Sequence, residues 1–111
     1  MAGKFELKKA KDGQFMFNLK ATNGQVILTS ELYKTKASAE NGIESVRKNS
    51  AREGAFGEKT NSKGEPYFIL KATNGQEIGR SEYYSSKSAM EKGIASVKKN
   101  APEAKINDIT G

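Results

Sequence analysis

The sequence predicts an α+β protein made by tandem duplication, in which two similar units form one domain with pseudo-twofold symmetry. The first observation is a repeat. The shift that brings Lys20 onto Lys71 aligns residues 4–50 with residues 55–101 without a gap, and nearly half of the aligned residues are identical. The second observation is the order of segments in each copy, where short alternating stretches precede one helical stretch. We expect one antiparallel sheet with two helices packed on one of its faces.

Three short strands open each copy. Apolar and polar side chains alternate in them, as in strands with one buried face. The turn pairs Asp12-Gly13 and Asn23-Gly24 separate them in the first copy. Pro66 stands at the start of a strand of the second copy, where a missing N–H is tolerated. The expected strands are residues 4–9, 15–21 and 26–30 in copy one and residues 67–72 and 77–81 in copy two.

One helix follows the strands in each copy. Small and apolar side chains recur there at the spacing of a single helical stripe. Thr35 and Ser86 are suited to cap the two N-termini. Gly42 and Gly93 occupy the same position of the stripe, and glycine inside a helix costs about 1 kcal/mol relative to alanine, so they predict close packing of helix on sheet. The expected helices are residues 36–48 and 87–99.

The end of each helix is expected at an asparagine. Asn49 and Asn100 follow lysines of the last turn, and asparagine tolerates the left-handed conformation of a C-terminal cap. Residues 105–109 then form one more short strand. Shifted back by one repeat, this strand overlaps residues 55–58, so the segment after the first helix is expected to open copy two as a strand.

The six residues KATNGQ occur in both copies and predict the register of a hairpin. A loop of two residues would pair Leu70 with a glycine on a buried face. A loop of three residues, 22–24 in copy one, with its glycine in the left-handed conformation, instead places Ile27 beside Leu19 and Ile78 beside Leu70. We therefore predict the three-residue loop and this pairing in both copies.

The two copies are expected to pack together as a single domain. A unit of about 50 residues is close to the lower limit for burying a core of its own. The connection at residues 51–54 is also too short to separate two independent units. The expected parts of the domain at residues 1–111 are repeat one at residues 4–50, repeat two at residues 55–101 and a C-terminal strand segment at residues 102–111.

The composition excludes several kinds of chemistry. The 111 residues include no cysteine and no histidine. The usual ligands of zinc, haem and iron–sulfur clusters are therefore missing, as is the usual general base near neutral pH. The acidic residues are scattered and form no calcium-binding loop pattern. We expect no cofactor, no metal site and no catalytic residues, and an enzyme is the least favoured class of function.

The charge and hydropathy of the chain bear on its partners and its location. The formal net charge is +6, a balance that suits nucleic acid or anionic surfaces. The basic residues are interleaved with acidic ones, however, which is typical of an ordinary solvated surface. No apolar run approaches the length of a membrane span, and the first residues lack the apolar region of a signal peptide. We expect a cytoplasmic protein without membrane association.

The repeated pattern resembles a known family. Both copies contain L-K-A-x-N-G-Q-x-I-x-x-S-E-x-Y-x-x-K followed by G-I-x-S-V-x-x-N. This pattern is similar to that of the YegP-like family of small bacterial proteins, and the resemblance covers nearly the whole chain. It implies a β-β-β-α-β unit, with two units sharing a sheet and exchanging their C-terminal strands. It implies no established biochemical function, and so it supplies no catalytic residues.

One set of polar residues joins a strand end to a helix start in each copy. A hydroxyl, a carboxylate, a phenol and an amine can transfer protons together, but simpler structural roles explain each of them: a strand-end hydrogen bond, a half-buried tyrosine and a surface lysine. The loop glycines likewise match no phosphate-binding pattern. The residues of the set are Ser30, Glu31, Tyr33 and Lys36, with Ser81, Glu82, Tyr84 and Lys87.

The sheet face opposite Phe17 and Leu19 is the more promising candidate for binding, because the helices cover only the other face. Lys20, Tyr67 and Lys71 are its candidate binding residues. A protein partner or self-association is the favoured function, and the alternative is single-stranded nucleic acid bound by lysines and stacked on an aromatic ring. The expected residues of this face are Met16, Asn18, Lys20, Val26 and Leu28 in copy one and Tyr67, Ile69, Lys71, Glu77 and Gly79 in copy two.

Overall fold

The structure, a computed structural model, describes residues 3–52 and 54–110. Within these residues the chain forms seven strands and two helices, which confirms the predicted α+β class. Glu53 of the expected connection, Gly111 of the expected last segment, and Met1 and Ala2 lie outside the described residues. The elements are β1 (Lys4–Lys9), β2 (Phe15–Lys20), β3 (Val26–Ser30), α1 (Lys36–Asn49), β4 (Phe56–Thr60), β5 (Pro66–Lys71), β6 (Glu77–Arg80), α2 (Lys87–Asn100) and β7 (Lys105–Asp108).

All seven strands belong to one sheet, in the order β4-β5-β6-β3-β2-β1-β7. The two repeats meet at its centre, where β3 and β6 pair in antiparallel register through Thr29 with Arg80 and Ser30 with Gly79. The expectation of an antiparallel sheet fails at one edge, because β7 pairs with β1 in parallel. Within the described residues, only the second repeat sends its last strand across to the other repeat, whereas the family resemblance implies an exchange in both directions.

Each hairpin turns through a loop of three residues that ends in glycine. The predicted loop Thr22-Asn23-Gly24 is confirmed, with the amide of Ala21 donating to the carbonyl oxygen of Gln25 at 2.9 Å. Gly24 has a φ of 85°, a conformation that glycine adopts without steric cost. The amide of Gly24 donates back to Ala21 at 2.9 Å. These bonds form a type I turn followed by a left-handed residue, a common connection for hairpins.

The predicted pairing beyond this loop is wrong. Leu19 lies opposite Leu28, not Ile27, because a second bulge follows the loop and Lys20 pairs with Val26. The same shift in copy two places Leu70 opposite Gly79. The bulge turns both Ile27 and Leu28 into the core, and burying a large apolar side chain contributes about 1.5–3 kcal/mol. This gain outweighs the loss of about one ladder hydrogen bond.

The helices begin where the sequence predicts. The side chain of Thr35 accepts a hydrogen bond from the amide of Ser38, and that of Ser86 accepts one from Ala89. The expected left-handed caps at Asn49 and Asn100 are wrong, because no non-glycine residue of the described chain has positive φ. Each asparagine is instead the last helical residue, and its buried amide group bonds back to the helix, in Asn100 to the carbonyl oxygen of Ser96 at 2.8 Å.

The core lies between the sheet and the two helices, which pack on the same face as predicted. Phe17 and Phe68 are fully buried at its centre. Tyr33 stacks on Phe17 with the ring planes 12° apart. A Cβ at Gly42 would lie 2.8 Å from Cζ of Tyr33 and 3.0 Å from the ring of Phe17, so α1 needs glycine here to reach the sheet. Neither described helix is long and apolar enough to cross a membrane.

Candidate functional site

The sheet face that the helices leave uncovered is here called the open face. Its residues alternate along the strands with the buried residues of the core, and they face one another in the strand pairings. Lysine and arginine outnumber glutamate on this face by about two to one. The residues of the open face are Lys4, Glu6, Lys8, Met16, Asn18, Lys20, Val26, Thr29, Glu31, Gly57, Lys59, Tyr67, Ile69, Lys71, Glu77, Arg80, Lys105 and Asn107.

In repeat one the open face is organised around a single carboxylate. Glu6 is only 8% exposed and lies 3.0 Å from Nζ of Lys20 and 3.7 Å from those of Lys4 and Lys8. The hydrogen bond from Lys20 is the largest influence that lowers the pKa of Glu6, and the charges of the three lysines add to it. Lys20, a candidate binding residue, is therefore held in an ion pair, and the three lysines exceed the single acid in charge.

Repeat two organises the same region with apolar groups. Gly57 is the equivalent of Glu6. The side chain of Ile69 lies over Gly57, with its Cγ1 atom 3.1 Å from where a Cβ of residue 57 would stand. Tyr67, the second candidate, contacts Tyr83 edge-on with the ring centroids 5.3 Å apart. The guanidinium of Arg80 lies 6.0 Å from the Tyr67 ring centroid. Tyr67 is thus already covered on part of its surface, and the third candidate, Lys71, lies half-buried beside Ile69.

Sequence reasoning missed two residues that stand out on the surface. Leu32 is 52% exposed and Tyr83 is 55% exposed. They occupy equivalent positions of the two repeats, shortly after β3 ends at Ser30 and β6 ends at Arg80. The contact of Tyr83 with Tyr67 places Tyr83 at the border of the open face. A bulky apolar residue at the same otherwise exposed position in both copies was the available signal. The predicted open-face residue Leu28, by contrast, is fully buried in the core.

The polar set between strand and helix has structural roles in this fold. The hydroxyl of Ser30 accepts a hydrogen bond from the amide of Phe17 at 2.9 Å and donates one to the carbonyl oxygen of Glu31 at 2.8 Å. Ser81 makes the same two bonds in repeat two. Burial raises the pKa of Tyr33, as expected for a tyrosine that anchors the chain. Lys36 forms an ion pair with Asp108 of β7.

Two carboxylates approach each other where the repeats meet. Desolvation is the largest cause that raises the pKa of Glu31, followed by a hydrogen bond and charge repulsion with Glu77. The positive charge of Arg80, which binds Glu77 at 2.8 Å, lies near Glu31 and opposes this rise of its pKa. The two glutamates therefore repel each other on the open face, and a neutral side chain at position 31 would remove this repulsion.

Replacing Glu31 with glutamine is expected to raise the stability of the protein at neutral pH. A carboxyl whose pKa is higher in the folded state than in the unfolded state binds more protons when folded, so its contribution to stability falls as pH rises through and above about 4.5. Glutamine does not titrate, so the variant does not lose this stability as pH rises. Urea unfolding of both proteins between pH 4 and pH 7 measures the difference in stability. Glu82→Gln is the control: Glu82 is the equivalent of Glu31 in repeat two, but the equivalent of Glu77 is the uncharged Val26. An equal gain in stability in both variants would exclude the Glu31–Glu77 contact as the cause.

The described residues offer cavities but no catalytic constellation. A cavity of about 650 Å³ lies between the loop after β2 and the start of β7. Its lining includes Lys4, Lys105 and Glu103, together with Thr22, Asn107 and apolar groups. No three acidic side chains of residues 3–52 and 54–110 gather closely enough to hold a metal ion.

The chain is similar to proteins of one bacterial family along its whole length. Residues 10–55 and 61–108 each match the model described as a domain of unknown function, DUF1508. A UPF0339 protein of Mannheimia succiniciproducens is 66% identical over 108 residues, covering 97% of this chain and 96% of that protein. The UPF0339 protein YegP of Yersinia pestis is 58% identical, with 97% and 96% covered.

Two solution NMR structures have the same fold. The UPF0339 protein SO3888 of Shewanella oneidensis matches with a TM-score of 0.93 and 50% identity, over 99% of this chain and 93% of that one. The protein of unknown function yegP from E. coli matches with a TM-score of 0.94 and 55% identity, over 100% and 96%. The fold and the family are thereby shown, and the relatives carry no described activity.

Proposed function

Since the chain belongs to the DUF1508 (UPF0339, YegP-like) family, whose function is unknown, we propose its function from the open face. The protein is a non-catalytic binding protein that docks an acidic surface of another protein on this face. The observation that carries the proposal is the pair of exposed apolar side chains, Leu32 and Tyr83, at equivalent positions beside a face rich in lysine. Exposed aromatic and apolar anchors with basic groups around them are typical of protein interfaces.

Charge favours an acidic partner over a second copy of the chain. A dimer formed by two open faces would bring the lysines around Glu6 against those of the other copy, and like charges across an interface cost affinity. An acidic protein surface would pair with the same lysines and gain both steering and specificity. We therefore propose that this face binds an acidic partner protein and does not mediate self-association.

Aromatic packing favours a protein partner over single-stranded nucleic acid. Base stacking needs an open aromatic ring, and the Tyr67 ring is approached by the guanidinium of Arg80 and packs at nearly a right angle to the ring of Tyr83. Tyr83 itself remains exposed, but in repeat one its equivalent is the aliphatic Leu32, on which bases do not stack. Nucleic acid is retained as the second candidate because of the lysines, and its binding would depend steeply on salt.

The absence of catalysis and a cytoplasmic location belong to the same proposal. They rest on the sequence, which offers neither histidine nor cysteine. The polar set at the strand–helix junction supports the first of them, because its hydroxyl and phenol groups are engaged in hydrogen bonding and ring stacking.

Replacing Leu32 and Tyr83 together with serine is expected to weaken binding of the partner by about 30-fold or more, because anchor residues of an interface contribute about 1–2 kcal/mol each. Affinity capture from a bacterial extract with quantitative mass spectrometry measures the change. The matched control is Asn41→Ser with Lys92→Ser, at equivalent exposed positions on the helices.

The control separates specific docking from general stickiness. We expect one or a few proteins with acidic surfaces that the control retains and the Leu32→Ser, Tyr83→Ser variant loses. Equal retention by both variants would rule out the open face as the docking surface. Capture that disappears after nuclease treatment would replace the protein partner with nucleic acid.

A further inference from the structure

The two outer edges of the sheet differ although the repeats that form them are equivalent. On one side β7 covers the edge of β1. On the other side β4 ends the sheet, and no strand of the described residues pairs with its outer edge. By the symmetry of the repeats, β4 corresponds to β1, so its outer edge is a second place for a strand in the position of β7.

The contacts of β7 with β1 and α1 show which groups hold a strand at this position. Ile106 lies opposite Phe5, and Asp108 lies opposite Leu7. The carbonyl oxygen of Leu7 accepts a hydrogen bond from the amide of Ile109 at 2.9 Å. Beyond the backbone pairing, the Asp108 carboxylate forms its ion pair with Lys36 at the start of α1. Backbone pairing and the carboxylate of Asp108 therefore hold β7, and Ile106, 39% exposed, lies two positions earlier at the register of Phe5.

The groups that hold β7 have counterparts around β4. Phe56 corresponds to Phe5, and Lys98 lies 5.7 Å from its ring centroid, as Arg47 lies 5.6 Å from that of Phe5. Lys87 corresponds to Lys36 and makes no ion pair within the described part of the chain. It lines a cavity of about 470 Å³ together with Glu58 and Met90, at the place that corresponds to the end of β7 in repeat one.

The connectivity explains why this edge has no strand from the chain itself. Shifted by one repeat, the residues of β7 fall on residues 54–57, and the last two of these, Phe56 and Gly57, already begin β4. One segment cannot be both the crossing strand of repeat one and the first strand of repeat two. Because the backbone groups of Leu7 face β7, those of the equivalent Glu58 face outward from β4, and they are available for pairing.

We propose that the outer edge of β4 accepts an extended segment of another polypeptide as an eighth, parallel strand. Its carboxylate reaches Lys87, as Asp108 reaches Lys36 on the opposite edge, and an apolar residue two positions earlier lies opposite Phe56, at the register that Ile106 has opposite Phe5. Strand addition of this kind is a recurrent way to bind peptides. The site is separate from the open face, so neither proposal depends on the other.

A second copy of the chain is a poor donor of this strand. Its β7 would have to leave its own β1, where Phe5 and Leu7 are fully buried, and the intramolecular strand has the advantage of a high effective concentration. Selectivity comes from Glu58, which replaces Leu7 at this edge. Its charge opposes the incoming carboxylate, so the ion pair with Lys87 has to compensate for it.

A synthetic peptide with the sequence of residues 104–110, capped at both ends, is the probe. Titrated into the isotope-labelled full chain, it is expected to shift the NMR amide signals of β4 and of the first turn of α2 while leaving those of β1 in place. Lys87→Glu is expected to weaken binding by about 2–5-fold, since one exposed ion pair contributes up to about 1 kcal/mol. Glu58→Leu is expected to strengthen it.

The proline variant Glu58→Pro is the sharpest test. It removes an outward-facing N–H and leaves the bonds between β4 and β5 intact, since Gly57 and Lys59 make those, so the protein folds but loses the shifts. A peptide in which lysine replaces the aspartate is the control and is expected to bind more weakly. Absence of shifts in β4 up to millimolar peptide, shifts confined to β1, or concentration-dependent shifts of β4 without peptide would each overturn the proposal.

Discussion

Replacing Gly42 and Gly93 together with alanine is expected to lower the free energy of unfolding by about 2–4 kcal/mol. Each new Cβ would lie 2.8 Å from Cζ of a tyrosine, Tyr33 in repeat one and Tyr84 in repeat two. Overpacking of this kind costs about 1–3 kcal/mol per site, and the better helix propensity of alanine returns up to about 1 kcal/mol per site. Chemical denaturation measures the net loss.

Removal of the tyrosine ring provides the control for this prediction. The ring of Tyr33 cannot simply swing aside, because its backbone is bonded in both directions to Phe15 and its face stacks on Phe17. In a Tyr33→Leu background, Gly42→Ala is therefore expected to be neutral or stabilising. Equal destabilisation with and without the ring would show that the glycine is required for another reason.

Replacing Gly79 with leucine is expected to destabilise the protein by about 3 kcal/mol, although the equivalent residue of repeat one is leucine. The two positions meet across the central pair of strands. A Cβ at Gly79 would lie 2.8 Å from the carbonyl oxygen of Thr29 and 3.2 Å from Cγ of Leu28. The core therefore has room for one large side chain at the pseudo-twofold axis, and a second one overpacks it.

Gly57→Ala is the matched control for this central position. Its Cβ would meet only side-chain atoms of Ile69 and Lys71 at distances of 3.1–3.7 Å, and such atoms can shift by rotation. Thermal unfolding is expected to show little change for Gly57→Ala and a large fall for Gly79→Leu. A stable Gly79→Leu protein would contradict the account of why the two repeats differ at the axis.

Much of the fold follows from local patterns in the sequence. The repeat predicts one domain architecture, the caps Thr35 and Ser86 predict the helix starts, and Gly24 predicts its loop, because each depends on residues close in the chain. The pairing of Leu19 with Leu28 does not follow from local patterns. It depends on a bulge that forms only because the core has room for both Ile27 and Leu28. Pattern rules assume a regular ladder and thus place one of the two outside.

The candidate site shows the same division. Alternation correctly places Lys20, Tyr67 and Lys71 on the open face, because side-chain direction in a strand is a local property. The ion pair of Lys20 with Glu6 and the ring contact of Tyr67 with Tyr83 depend on neighbouring segments of the fold and are invisible in the sequence. The exposure of Leu32 and Tyr83 likewise follows from where the sheet ends, and apolar residues at this spacing are more often read as part of a core.

The central claim is that the open face, and not the helical surface, meets an acidic region of another protein. Photo-crosslinking from position 83, compared with position 92 on the outer surface of α2, tests it most directly in cells that express the full chain. We expect crosslinks from position 83 to a peptide rich in aspartate and glutamate, and no crosslink to the same protein from position 92. The same protein crosslinked equally from both positions, or nucleic acid crosslinked from position 83, would contradict it.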